Sequence, residues 1–117
     1  MRVQPPVVGE PRLDLRAPDV SAAADAAAIL ADPRRAAILR LLADGPVCVC
    51  EMAAALGARE NNISNHLARL RDAGLVRATR HEANARFLYY ERDEAAVAAA
   101  RTALSDLLRG SRLASAS

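Results

Sequence analysis

The 117-residue sequence predicts a mostly α-helical domain with one small β-hairpin. Apolar residues make up 52% of the chain but aromatics only 3%, so the core must be built from small aliphatic side chains, which suits close-packed helices better than sheet. Asp-Pro and Gly signals cut the middle of the chain into helix-length pieces. Past Gly74 the apolar spacing changes from helical to alternating, as a hairpin requires. The length permits a single core, and a monomer of this size is only marginally stable.

The first stretch, 1–18, mixes prolines with charges and has no sustained period, which describes an extended arm. Ser21 is placed to cap an Ala-rich helix through Ala31. Asp32-Pro33 is a good N-cap and N1 pair for the next helix, PRRAAILRLLAD, which Gly45-Pro46 stops. Ala37, Ile38, Leu41 and Leu42 form its apolar side, with Arg34, Arg35 and Arg40 mostly off it. A short helix from about Cys50 to Leu56 ends at Gly57. The next runs from about Asn61 to Ala73 with Ile63, Leu67 and Leu70 at helical spacing. Two helices joined by a tight Gly-containing turn form a helix-turn-helix.

After Gly74, LVRATR and RFLYY are strand-like runs separated by HEANA, where Asn84 can adopt a left-handed turn conformation. A helix-turn-helix followed at once by a hairpin is a winged helix-turn-helix. The last helix, Glu94 to Leu108, matches the first in its small-residue character. Both are candidates to pack against their copies in a second subunit, adding the burial that a small monomer lacks; alternatively they cover the core of a monomer. The expected organisation is a flexible arm at 1–18, a DNA-binding and dimerisation domain at 19–109 and a flexible tail at 110–117.

The net charge is +2 and every cationic side chain is Arg, so overall charge does not announce a nucleic-acid partner. Its distribution does more: from Arg59 to Arg86 six arginines face only Glu60, Asp72 and Glu82, the footprint of a phosphate-binding surface. No signal-peptide-like run opens the chain, and the Ala-rich segment is too short to span a bilayer. A soluble cytoplasmic protein with no membrane partner is expected, with reduced cysteines and no structural disulfide.

Those residues also resemble a known family. The run from Ala31 to Tyr90, with its ADPxRxxIL opening, CVCE helix, SNHLxxLRDAGLV helix and a wing ending in YY, is similar to the ArsR/SmtB metal-sensing repressors. The resemblance implies a homodimer that represses a resistance operon from an imperfect inverted repeat and dissociates when a metal(loid) ion binds. Cys-Val-Cys-Glu corresponds to the family's site for arsenite, antimonite, cadmium and lead, with As(III) or Sb(III) the leading inducer and Cd(II) or Pb(II) next. It departs from some relatives: Ala53 stands where certain arsenite sensors have a third cysteine, the N-terminal arm has no cysteine, and the last helix offers Glu94 and Asp106 but no His. No enzyme motif is present: there is no phosphate-binding Gly loop, nucleophile elbow or CxxC.

The chemistry of the residues agrees with that picture. Asn61, Asn62, Ser64, Asn65 and His66 fall in the first two turns of the recognition helix, where Asn can pair with adenine through two hydrogen bonds and Ser or His can meet base edges; Asn61 or Asn62 could instead cap the helix, and His66 support the core. Arg69, Arg77, Arg80, His81 and Arg86 are the candidates for phosphate or minor-groove contact. Cys48 and Cys50 are the only two cysteines, and thiolates are soft ligands. In a regular helix residues i and i+2 point about 200° apart, so both sulfurs meet one ion only if Cys48 precedes the first turn. Pro46 and the β-branched Val47 and Val49 favour such an extended entry, and the positive helix end favours the thiolate. A disulfide between i and i+2 closes a strained ring. A third ligand is open among Glu51, His66, an exogenous thiol and a cysteine of the other subunit. Alternatives for the pair are oxidant or reactive-sulfur sensing, and simple packing.

Arg80→Ala should weaken binding to all DNA sequences alike and flatten the salt dependence by roughly one unit of log–log slope. Unchanged affinity and slope in a filter-binding salt series would refute the wing assignment.

Overall fold

The computed structural model describes residues 14–80 and 88–110. Five helices, α1 (Pro18–Leu30), α2 (Pro33–Leu41), α3 (Val49–Leu56), α4 (Glu60–Asp72) and α5 (Glu94–Arg109), combine with strands β1 (Val47–Cys48), β2 (Val76–Arg80) and β3 (Leu88–Arg92). This is the expected winged helix-turn-helix. Asn84 of the expected turn lies outside the described residues.

Helix α1 starts earlier than its sequence suggests. Pro18 occupies the first helical turn, Ala17 precedes it without a side-chain cap, and Ser21 lies inside the helix. Proline supplies a pre-set φ where no N–H partner is needed, so a hydroxyl cap is dispensable. By contrast, Asp32 caps α2 as expected: its side chain accepts the Arg34 N–H at 2.8 Å. Arg35 then ties α1 to α2, its Nε donating to the Ile29 carbonyl at 2.7 Å. This satisfies an otherwise orphaned acceptor at a helix C-terminus.

The core is small and apolar. Ile38, Leu42, Met52, Ile63, Leu67 and Leu70 are the largest fully buried side chains, joined by Ala53, Leu75, Val76 and Tyr90. They lock α2, α3 and α4 against one another and against the foot of the sheet. No polar or charged side chain is buried among the described residues. Gly57 closes α3 at φ 62°, a left-handed conformation that favours glycine and turns the chain sharply into α4.

The sheet has one more strand than the hairpin expected from sequence. Its order is β1-β3-β2, all antiparallel, with Val47 opposite Tyr90 and Cys48 opposite Tyr89. The wing pairs from Val76 opposite Arg92 to Arg80 opposite Leu88. At its base Arg77 meets Glu91 at 2.9 Å and Asp93 at 3.3 Å, while Asp93 also caps α5 through the Ala96 N–H. Helix α5 packs on α1 but has no fully buried side chain, and Leu108 is 82% exposed.

Leu67→Ala should destabilise the fold by about 2–5 kcal/mol, the usual cost of a truncated core leucine, read by urea denaturation. The Arg34 N–H bond, followed by smaller contributions that include the fields of His66 and Arg35, holds the Asp32 carboxyl below its ordinary value of 3.8. A depressed folded value stabilises the fold above the unfolded one and is lost as pH falls through the folded one. The melting-temperature advantage of wild type over Asp32→Ala should therefore be full near neutrality and shrink below 3.8; a gap independent of pH would contradict this.

Candidate functional site

The two cysteines sit where strand becomes helix. Cys48 is extended, at φ −83° and ψ 156°, and is both the last residue of β1 and the N-cap of α3. Its Sγ accepts the Glu51 N–H at 3.3 Å, and the Glu51 carboxylate accepts the Cys48 N–H at 3.4 Å. This is a capping box in which sulfur replaces the usual hydroxyl oxygen. Cys48 is buried and Cys50, in the first turn of α3, is half-buried.

The sulfurs meet, as the sequence required of a Cys48 placed before the first turn. They meet as a disulfide, with Cα atoms 5.4 Å apart, where a reduced pair was expected. Two helical residues at this spacing would point their sulfurs apart; the extended Cys48 puts them side by side. Among the described residues no three His, Cys, Asp or Glu side chains converge as a metal site. Glu51 is occupied by the capping box. The chain thus offers a soft two-sulfur donor set, suited when reduced to a thiophilic ion and not to magnesium or calcium.

The polar face of α4 follows α3 and the turn at Gly57. Arg59 is its N-cap residue and makes no side-chain cap bond, so neither Asn61 nor Asn62 serves as the cap. Asn61, Ser64 and Asn65 are exposed, and Asn62 and His66 are half-buried beside the start of α2. A polar cleft of about 380 Å³ opens here, bounded by Arg34, Arg59, Asn61, Asn62 and Asn65. Arg34 was not among the residues singled out from sequence. Its Nη1 donates to Asn62 Oδ1 at 2.9 Å across 28 positions of chain, a contact without local sequence signal.

The remaining candidates are more scattered. Arg69 lies beyond this cleft, on the rim of a groove of about 830 Å³ between α1, α4 and α5 that is lined largely by alanines and by Asp25 and Asp72. Arg77 is bound to Glu91 and Asp93. Arg80 ends β2, and His81 and Arg86 lie outside the described residues.

Several known proteins resemble this chain. The model of the family described as bacterial regulatory protein, arsR family, matches residues 32–78. The HTH-type transcriptional regulator CmtR of Mycobacterium tuberculosis H37Rv is 52% identical over 50 residues, 43% of this chain and 42% of that protein. The arsenical resistance operon repressor of Escherichia coli K12 is 47% identical over 49 residues, again 42% of its length. These alignments therefore span less than half of either relative. Among solved structures, a possible transcriptional regulator for arsenical resistance superposes with TM-score 0.65 at 30% identity, covering 80% of this chain and 96% of that one. The transcriptional regulator HlyU from Vibrio vulnificus gives TM-score 0.57 at 32% identity, covering 73% and 88%.

Proposed function

Because this chain belongs to the arsR family of bacterial regulatory proteins, we propose that it is a homodimeric transcriptional repressor that binds operator DNA and releases it when a thiophilic ion binds Cys48 and Cys50. The observation that carries the proposal is the meeting of both sulfurs at a residue shared by β1 and α3. Arsenite or antimonite is the leading inducer, in line with relatives named for arsenical resistance; cadmium or lead follows, since both accept sulfur ligands.

When bound, such an ion supplies a cross-link between the sulfurs; the rest is done by the chain. Cys48 is held to Tyr89 of the wing through the sheet. Through α3, Met52 and Ala53 join the core that holds Ile63 and Leu67 of α4. Changing the position of Cys48 therefore strains both DNA-facing elements together. A difference of a few kcal/mol in ion affinity between the DNA-fitting and non-fitting dimers lowers occupancy at least tenfold. The third donor comes from outside the described part of one protomer, as an exogenous thiol or a group from the second subunit.

In this reading Asn61, Asn62, Ser64, Asn65 and His66 face the major groove. Arg80, His81 and Arg86 approach the backbone from the wing, and Arg69 and Arg77 contribute charge at the edges. The exposed apolar residues of α5 and its alanine-lined groove with α1 support dimerisation through these helices. Two symmetric recognition helices then call for an imperfect inverted repeat with half-sites about one helical turn apart. Among the described residues no helix is long and apolar enough to cross a membrane, in keeping with a DNA-bound role in the cytoplasm. The disulfide favours a second reading, in which the same pair senses oxidants or reactive sulfur.

Reduced protein should bind arsenite or cadmium with thiolate absorption in the ultraviolet, and Cys48→Ser or Cys50→Ser should abolish it; full stoichiometry in both single variants would end the ion proposal. Following binding to DNA from upstream of the chain's own gene separates the two readings. Release by arsenite or cadmium supports the first, and release by peroxide alone the second.

A further inference from the structure

We infer that oxidation of Cys48 and Cys50 gates the ion response: the disulfide-bonded chain keeps its DNA-reading shape but no longer answers a thiophilic ion. The inference rests on the ion reading above and differs from the second reading, in which oxidation itself releases DNA. The two sulfurs that would hold the ion are the two joined in the disulfide. A soft ion is bound by thiolates, and in a disulfide neither sulfur carries the negative charge that makes it a good donor. Among the described residues no group of three His, Cys, Asp or Glu side chains could take over, and the chain has no further cysteine.

The scaffold around the closed pair is intact. With the disulfide in place Cys48 pairs with Tyr89 across the sheet, and its Sγ accepts the Glu51 N–H at 3.3 Å. Met52 and Ala53 of α3 lie in the core with Ile63 and Leu67, while Asn61, Ser64 and Asn65 of α4 are exposed. Closure thus removes the donors without undoing either attachment through which Cys48 acts on α4 and the wing. The sulfurs also differ in access, since Cys48 is only 4% exposed and Cys50 is half-buried. Peroxide therefore meets Cys50 first. The Cys50 thiol takes one oxygen from the peroxide, giving a sulfenic acid and one water; the Cys48 thiol then attacks that sulfur, forming the disulfide and releasing a second water. The pair gives two electrons to the peroxide, and a dithiol reductant returns them while closing its own disulfide.

The test uses the full chain on DNA from upstream of its own gene. The protein is either reduced or oxidised with peroxide that is then removed, and the disulfide is verified by the loss of two hydrogen atoms from the intact mass of the protomer. Reduced protein should lose DNA affinity at least about tenfold with arsenite or cadmium. Oxidised protein should bind the DNA within about threefold of the reduced affinity, shift less than about twofold with either ion, and regain the full response after a dithiol reductant. In Cys48→Ser, peroxide should leave Cys50 as a sulfenic acid that dimedone traps, whereas Cys50→Ser should label at least about fivefold more slowly. Oxidised protein that releases DNA unaided, that still answers either ion, or that forms no disulfide would overturn the inference, as would equal labelling of the two variants. If reduced protein ignores both ions, the ion reading itself falls, a result distinct from reduced and oxidised protein that respond alike.

Discussion

The burial of one stripe of α4 is the constraint on which the rest of the molecule depends. Ile63, Leu67 and Leu70 are fully excluded from water, and with Ile38, Leu42 and Met52 they make most of the core's apolar volume. Since no polar or charged residue among those described is buried in this core, its packing is set by side-chain shape, and the hydrogen bonds between helices, Arg35 to Ile29 and Arg34 to Asn62, lie toward the surface. Packing of that kind tolerates few intermediate arrangements. A displacement at one end of the helix pair is passed on as a change of angle, and the polar face of α4 is oriented by the same contacts that make the domain stable.

Cys48 stands where two load paths start. Its backbone belongs to the sheet that carries the wing, and its side chain closes the first turn of the helix that supports α4. Serine would fulfil the capping role with a better acceptor, so capping alone gives no reason for sulfur at this position. Sulfur adds reactivity toward soft ions and oxidants. The cap geometry thus places a reactive atom in the structure at a point where any change in its bonding partners is felt by two elements.

Much of this was legible in the sequence wherever the signal was local. Asp32-Pro33, Gly57 and the apolar spacing of α4 mark their elements through backbone preference and period alone. Strand β1 escaped because two residues carry no period; it exists only through its partner β3. The start of α1 was misplaced because Ser21 looked like a cap, whereas Pro18 needs none. For the thiol pair, the extended entry at Cys48 is legible in Pro46 and the β-branched neighbours, whereas the disulfide is not, since the i to i+2 spacing by itself points to a strained ring. The Arg34–Asn62 bond was invisible because it joins distant positions through tertiary packing.

The arginines around the cleft have a consequence for control. Arginine stays protonated throughout the physiological range, and the chain contains no lysine that acetylation could neutralise. The positive charge that Arg34 and Arg59 bring to the cleft is therefore permanent, indifferent to pH and to the commonest charge-removing modification. A surface of fixed charge holds a residual attraction for any polyanion in every state of the protein. In the proposed cycle, letting go of one sequence then amounts to falling back to weak, sliding contact with its neighbours, which keeps the repressor near its DNA.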